Sequence, residues 1–223
     1  METMNFLGTK FEGRKLAFDA RLPQLAKQEP DVEKIAAAMY GSNPTQQAVD
    51  AVIYAAKSVS EKTSFDDLFK SDDKISVGIT SLSEGKPSAG EYFLATEIML
   101  QYAVASGTSD SDVAKADFGL IHPFIRNGEI KIVQNNREIL PAQSCEIFQV
   151  ADHYQAVGDS NAAAGTPVNN VMMGVGHVGH YKLANPKWIY PDRKIDVSLK
   201  FAAQLPANAA VRILFIGVKN GKL

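Results

Sequence analysis

The chain of 223 residues is 45% hydrophobic and 22% charged, with a formal net charge of −2 at neutral pH. That composition excludes a disordered or fibrous chain, and the slight negative balance argues against a general nucleic-acid binder, which would carry a basic surplus or stripe. The length admits one large β domain, or a domain of about 150 residues with an extension. Cys145 stands alone, which excludes an intrachain disulfide scaffold. The opening stretch to Phe11 has neither a basic region nor a continuous apolar run, so no signal peptide is expected. No run approaches the roughly 20 apolar residues of a membrane span, and a chain made and folded in the cytoplasm is the expectation.

Helical signals dominate up to about Ser71. Asp31 reads as an N-cap behind Pro30, Ile35 to Met39 follow, and Gly41 stops the helix. A second helix is expected from Asn43-Pro44-Thr45 through Ala48, Val49, Val52, Ala55, Ala56 and Val59, a wide stripe of mostly small side chains. A brief helical turn is expected over Phe65 to Phe69. From Lys74 the period changes to two: Ile75, Val77 and Ile79 alternate with Ser76, Gly78 and Thr80, and Ser83 to Gly90 reads as a loop. Tyr92 to Val104 predicts a long strand with Leu94, Thr96, Ile98, Leu100, Tyr102 and Val104 on one face and Ala95, Glu97, Met99 and Gln101 on the other.

Gly107 to Asp112 reads as a loop and Phe118 to Ile125 as a strand. Asn127-Gly128 predicts a hairpin turn into Glu129 to Val133, and Asn135-Asn136 a second turn before Ile139-Leu140. Glu146 to Val150 predicts a further strand, and Asp152 to Asn170 a long irregular loop. Strand character resumes from Val171 or Tyr181. Ile195, Val197, Leu199 and Phe201 then alternate with Asp196, Ser198 and Lys200 as in a half-buried strand, and a turn at Pro206-Ala207-Asn208 leads to Val211 to Val218, apolar enough to be covered on both faces. About eight strands result. The expected fold is mainly β, an eight-stranded antiparallel jelly-roll sandwich over 71–223, with an α-helical N-terminal extension over 1–70.

Constellations that could carry chemistry are sparse. His177-Val178-Gly179-His180, with His122 and His153, raises a cupin-like metalloenzyme, but positions 177 and 180 point to opposite faces of a strand and no acid follows until Asp192. Asp110-Ser111-Asp112 near Asp117 lacks the Gly and Glu of a calcium loop. Asp66-Asp67 and Asp72-Asp73 are adjacent pairs, not facing carboxylates. Cys145 has no nucleophile signature around it and reads as a core thiol. Trp188 and Tyr190, framed by Pro186 and Pro191, could form a sugar-stacking platform or plug the sandwich. No catalytic, cofactor or metal residue is therefore assigned, and neither enzyme activity nor a small-molecule substrate is expected. Charge is uneven: Tyr181 to Leu223 carries Lys182, Lys187, Arg193, Lys194, Lys200, Arg212, Lys219 and Lys222 against Asp192 and Asp196. Such asymmetry can steer subunits together or toward an anionic surface.

The order Tyr181-Lys182-Leu183-Ala184-Asn185-Pro186, then Trp188-Ile189-Tyr190-Pro191, then the strand Ile195 to Phe201 and a closing strand ending Ile216-Gly217-Val218 resembles the final part of jelly-roll capsid proteins of viruses and tailless phages. Gly90 to Val104 and Asn127-Gly128-Glu129 with Ile130 and Ile132 are similar to earlier strands of such proteins. The resemblance covers Lys74 to Val218 and is one of pattern. It implies a virion shell subunit that self-assembles with copies of itself and with other virion proteins, with the first seventy residues as an arm or extension. Met1 to Lys70 departs from the strongly basic arm of many coat proteins, holding nine basic and ten acidic residues, so arm-mediated genome binding is not expected; the basic C-terminal third could face a genome or an internal membrane. A carbohydrate- or receptor-binding β-sandwich module is the alternative from Trp188 and Tyr190.

Overall fold

A computed structural model describes residues 6–119, 121–148, 154–157, 171–174 and 179–222. Two helices open the chain, α1 (Phe6–Ala26) and α2 (Pro30–Tyr40), and strands dominate thereafter. β1 (Gln46–Ser58), β3 (Phe93–Val104), β8 (His180–Ile189) and β10 (Ala209–Lys222) form sheet A in the order β1-β10-β3-β8. β2 (Ser64–Phe65), β4 (Glu129–Gln134), β5 (Arg137–Ser144) and β9 (Ile195–Lys200) form sheet B in the order β2-β9-β4-β5. All neighbours within both sheets are antiparallel. The chain crosses repeatedly between sheets, which is the jelly-roll order. β6 (Tyr154–Val157) and β7 (Val171–Gly174) pair separately as a two-stranded ribbon; most of the loop expected over 152–170 lies outside the described residues.

The core between the sheets follows the pleat. In β9, Ile195, Val197 and Leu199 are fully buried and the residues between them are not, the alternation expected of this strand. Each such side chain contributes roughly 1.5–3 kcal/mol of hydrophobic stabilisation relative to exposure. Val211, Ile213 and Phe215 of β10 enter the same core from the facing sheet, with Phe215 tilted against Phe69 at 6.2 Å. The outer face of β10 is only half covered at Arg212, Leu214 and Ile216.

Several elements differ from the sequence reading, each for an identifiable reason. The expected second helix over 43–59 is strand β1, paired along its whole length with β10, so the sandwich begins at Gln46, ahead of the Ser71 boundary. Its apolar residues looked helical because both faces are covered: Ile53 and Ala55 enter the inter-sheet core, whereas Ala48 and Ala56 pack on the outside. Residues 65–69 form no helical turn; Ser64–Phe65 pair with β9 and Asp67 bridges Val197. The alternation at 74–80 is not a strand but a turn closed by the Ser76 and Thr80 bridge, which leaves Ile75 and Val77 in solvent. Phe118 to Ile125 holds a single bridge at Gly119 and then the helical turn α4 (Pro123–Arg126), N-capped by His122, whose Nδ1 accepts from the Phe124 N–H. Asn127 caps that turn, so Asn127-Gly128 is no hairpin; Gly128 is needed because a Cβ there would lie 2.1 Å from the Lys200 carbonyl oxygen. Gly107 to Asp112 includes the start of α3 (Asp110–Ala114), capped by Ser109. Cys145–Phe148 is a 3-10 turn in place of the strand expected from Glu146.

The Asn135-Asn136 turn holds. Both residues have positive φ, 48° and 62°, which makes the two-residue loop between Gln134 and Arg137 a type I′ hairpin. Asn136→Gly removes the Cβ penalty at the second position and is expected to raise the urea midpoint by an amount equivalent to about 0.5 kcal/mol; a fall in the midpoint would contradict the turn assignment.

The long strand β3 carries a bulge. Ala95 pairs with Gly217 and Glu97 with Ile216, leaving Thr96 as the extra residue, its hydroxyl donating to the Ile216 carbonyl at 3.1 Å. One inserted residue exchanges the faces of everything before it. Phe93 and Ala95 therefore enter the core with Ile98 and Leu100, while Leu94 points outward, toward α1 and α2. The uninterrupted alternation expected over 92–104 is broken at this point.

Candidate functional site: the outer faces of the sandwich

The outward-facing surfaces of the two sheets differ. Sheet B presents a charged face whose signs are matched across strands. Lys200 of β9 bonds Glu129 of β4 at 3.0 Å, Lys131 approaches Glu138 of β5 at 3.5 Å, and Lys194 pairs with Asp196 at 3.1 Å. Arg193 reaches Glu29 of the helical segment at 3.2 Å, Lys219 pairs with Glu91, and Arg212 donates twice to Gln101 while lying over the Phe118 ring. Three of the eight basic residues of the last forty-odd, Arg193, Lys200 and Lys219, thus pair with acids from earlier in the chain.

Sheet A is covered at both ends of its outer face. At one end α1 and α2 bring Phe18, Leu22, Leu25, Val32 and Ile35 onto Tyr92, Leu94, Trp188, Tyr190 and Val218. Trp188 is 6% exposed, with its ring edge-on to Phe18 at 5.1 Å. Tyr190 stands edge-on to Tyr92, with Arg137 and Arg193 over its ring. Neither ring offers the open face a sugar-stacking platform needs; both serve as the bed for the helices. Gln134 fixes this corner, donating to the carbonyls of Tyr190 and Arg193 and accepting from the Tyr190 N–H. At the other end, α3 and Ile79 pack on Ala56 and Ala210.

Between the two covers lies an apolar rim at the edge strand β1. Val52 is 46% exposed, Ile75 68% and Val77 91%. Val52 and Ile75 line a slot of about 210 Å³ beside β1, with Ser83 and Lys86 among its other walls. Past Val52 the edge is shielded: Ala56 donates its N–H to Ile79 and Ser81 donates to the Tyr54 carbonyl. Tyr54 in turn accepts from the Gly78 N–H through its hydroxyl, holding the 75–78 turn against the sheet.

One polar cluster lies under the helices. Glu97, brought outward past the bulge, accepts from Arg14 Nη2 of α1 at 2.9 Å and lies 2.6 Å from Nε2 of His180 on β8. Oε2 of Glu97, the oxygen that faces His180, is buried. Arg14 also reaches Asp50 of β1 at 3.4 Å. The hydrogen bond from His180 and the Arg14 guanidinium hold the Glu97 carboxyl down to about 2 against the opposing effect of burial.

The other residues singled out by sequence take structural places. His180 lies against Glu97 under the helices; His153 and His177 lie outside the described residues. His122 is an N-cap whose ring is tilted against Tyr102 and edge-on to Phe124. Among the described residues no group of three or more His, Cys, Asp or Glu side chains converges as a metal site. Asp112 accepts from the hydroxyls of Ser106 and Ser109 within its own turn. Asp73 pairs with the buried Lys57 at 2.7 Å, fastening the 70–90 segment to β1. Cys145 is fully buried, and burial together with Glu129 pushes its thiol up to about 12, which removes the thiolate needed for reactivity at neutral pH. No helix among the described residues is long and apolar enough to cross a membrane. The Arg14, Glu97 and His180 cluster was not foreseen; a lone glutamate inside the apolar run of β3 was its only signal.

No family model, no curated protein and no solved structure matches the chain.

Proposed function

We propose that this protein is a jelly-roll capsid subunit whose activity is self-assembly into a virion shell. The observation that carries the reading is the strand order of the two sheets together with an uncovered apolar rim, Val52, Ile75 and Val77, at the edge of sheet A. Jelly rolls serve many purposes, and the strand order supports this one by analogy. The rim adds a physical one: clustered apolar side chains held in solvent by an ordered turn are stabilised when a second surface covers them. Repetition of such a contact by symmetry closes a shell. The other partners, on this reading, are further virion proteins.

The test is direct. Purified protein examined by negative-stain microscopy and sedimentation across salt and pH should form large symmetric particles, and a strict monomer throughout would remove the proposal. Val77→Lys, at a position too exposed to affect folding, is expected to raise the protein concentration needed for particle formation by about tenfold or more, the effect of losing one apolar contact of about 1.4 kcal/mol per subunit. Unchanged assembly in this variant would place the contact elsewhere.

A further inference from the structure

We infer that α1 and α2 form a lid that lifts from sheet A as one unit, and that the Arg14, Glu97 and His180 cluster is the latch that keeps it down. This inference is independent of the capsid reading. Its first support is how the lid is attached. Its apolar side chains belong to a cluster separate from the inter-sheet core, to which, among the described residues, nothing before Ala51 contributes. Among the described residues, no backbone hydrogen bond joins α1 or α2 to a strand; the nearest, from the Thr45 N–H to the Ala38 carbonyl, stays within the connecting segment. Among the described residues, what crosses the interface is side chains, and the polar crossings use arginine: Arg14 to Glu97 and Asp50, Arg21 to Asn185 and the Pro186 carbonyl, and Arg193 to Glu29. The helices hold each other through their own contacts, including the Tyr40 hydroxyl on Asp19, so they can move together.

The second support is the chemistry of the latch. Among the described residues, Glu97 is the one buried carboxylate of this interface, with its side chain 8% exposed, and it faces a helix cation on one side and a strand imidazole on the other. Arg14 is mostly buried as well, and its Nε has no acceptor. With Glu97 ionised the arrangement is compensated. Without that charge a guanidinium is left under the lid facing only the partly exposed Asp50, and an uncompensated buried charge is among the most destabilising features a packed interface can hold. Raising the lid returns Arg14 to water and costs only the lid contacts, because the sandwich keeps its own core.

Trp188 makes the inference measurable. It is the only tryptophan and lies under Phe18, so its fluorescence reports lid contact, while amide exchange reports each element separately. In the full-length protein, Glu97→Gln is expected to red-shift Trp188 emission and to speed exchange of α1 and α2 amides by about tenfold or more, with β9 and β10 as protected as before. Arg14→Met combined with Glu97→Leu removes both charges and should bring the lid amides back to within about twofold of the parent. Unchanged lid exchange in Glu97→Gln overturns the latch, and equal acceleration in β9 and β10 overturns the separate lid. A double variant that stays open would show that packing, not charge, is what Glu97 supplies, and so also overturns the inference.

Discussion

Gly217→Ala is expected to destabilise the protein by about 3 kcal/mol, at the upper end of what overpacking costs in a rigid interior. Gly217 sits in the central strand β10 at the point where β3 bulges toward it. A Cβ on this residue would lie 2.0 Å from the Leu94 carbonyl oxygen and 3.1 Å from the Ala95 Cα. Those neighbours are backbone and cannot rotate away, so the two strands must separate where Phe215 and Ile98 anchor the core one step further along. Gly13 provides the opposite sign. It lies exposed inside α1 with nothing within 4 Å of an added Cβ, so Gly13→Ala should gain up to about 1 kcal/mol from helix propensity alone. Urea unfolding of both variants beside the parent measures the contrast. A Gly217→Ala midpoint close to that of the parent would mean that the bulge is absent or relaxed.

The bulge also shows why part of this fold could be read from sequence and part could not. β9 was legible because one face meets the core and the other meets water, so Ile195, Val197 and Leu199 write a clean period of two. The Asn135-Asn136 hairpin was legible because two consecutive positive φ angles demand a particular residue chemistry. β1 was not, because its outer face is covered at both ends by different elements, and a strand apolar on both faces with many alanines has the same pattern as a buried helix. Ile75 and Val77 misled in the other direction: local alternation was present, but among the described residues no strand pairs with it and both side chains stay in solvent. α1 gave little signal, since Gly8, Gly13 and Pro23 interrupt it and its stability comes from Phe18 and Leu22 packing on distant Trp188 and Leu94.

The polar interface was hidden for a different reason. Charge counting along the chain separates acidic from basic segments, yet the pairs Glu29 with Arg193, Glu91 with Lys219 and Glu129 with Lys200 join residues from opposite sides of that division. Only the folded arrangement reveals that these three pairs form across that division. Glu97 is the extreme case, because the inserted Thr96 leaves it on the face opposite Ala95, where Arg14 of α1 reaches it.

Acid should therefore act on this protein through Glu97 before it acts on the sandwich core. Its carboxyl is held at about 2 in the folded state, against an ordinary value of 4.5, by the hydrogen bond from His180 and then by Arg14. A lowered value means that the folded state binds its proton more weakly than the unfolded state does. The stabilisation is thus complete well above pH 4.5 and is lost as pH falls toward 2, and a difference of this size corresponds to about 3 kcal/mol. Other carboxylates titrate in the same window, so the informative quantity is the difference between the parent and Glu97→Gln, in which contributions from groups far from Glu97 cancel. The parent should be the more stable near neutrality, and the two unfolding free energies should converge as pH drops from about 5 to about 2, the gap closing by about 3 kcal/mol. Parallel pH curves would show that Glu97 is not ionised against its partners in the folded protein. Convergence accompanied by a red shift of Trp188 at a pH where the strands still resist exchange would connect the titration to the helices and leave the jelly roll beneath them intact.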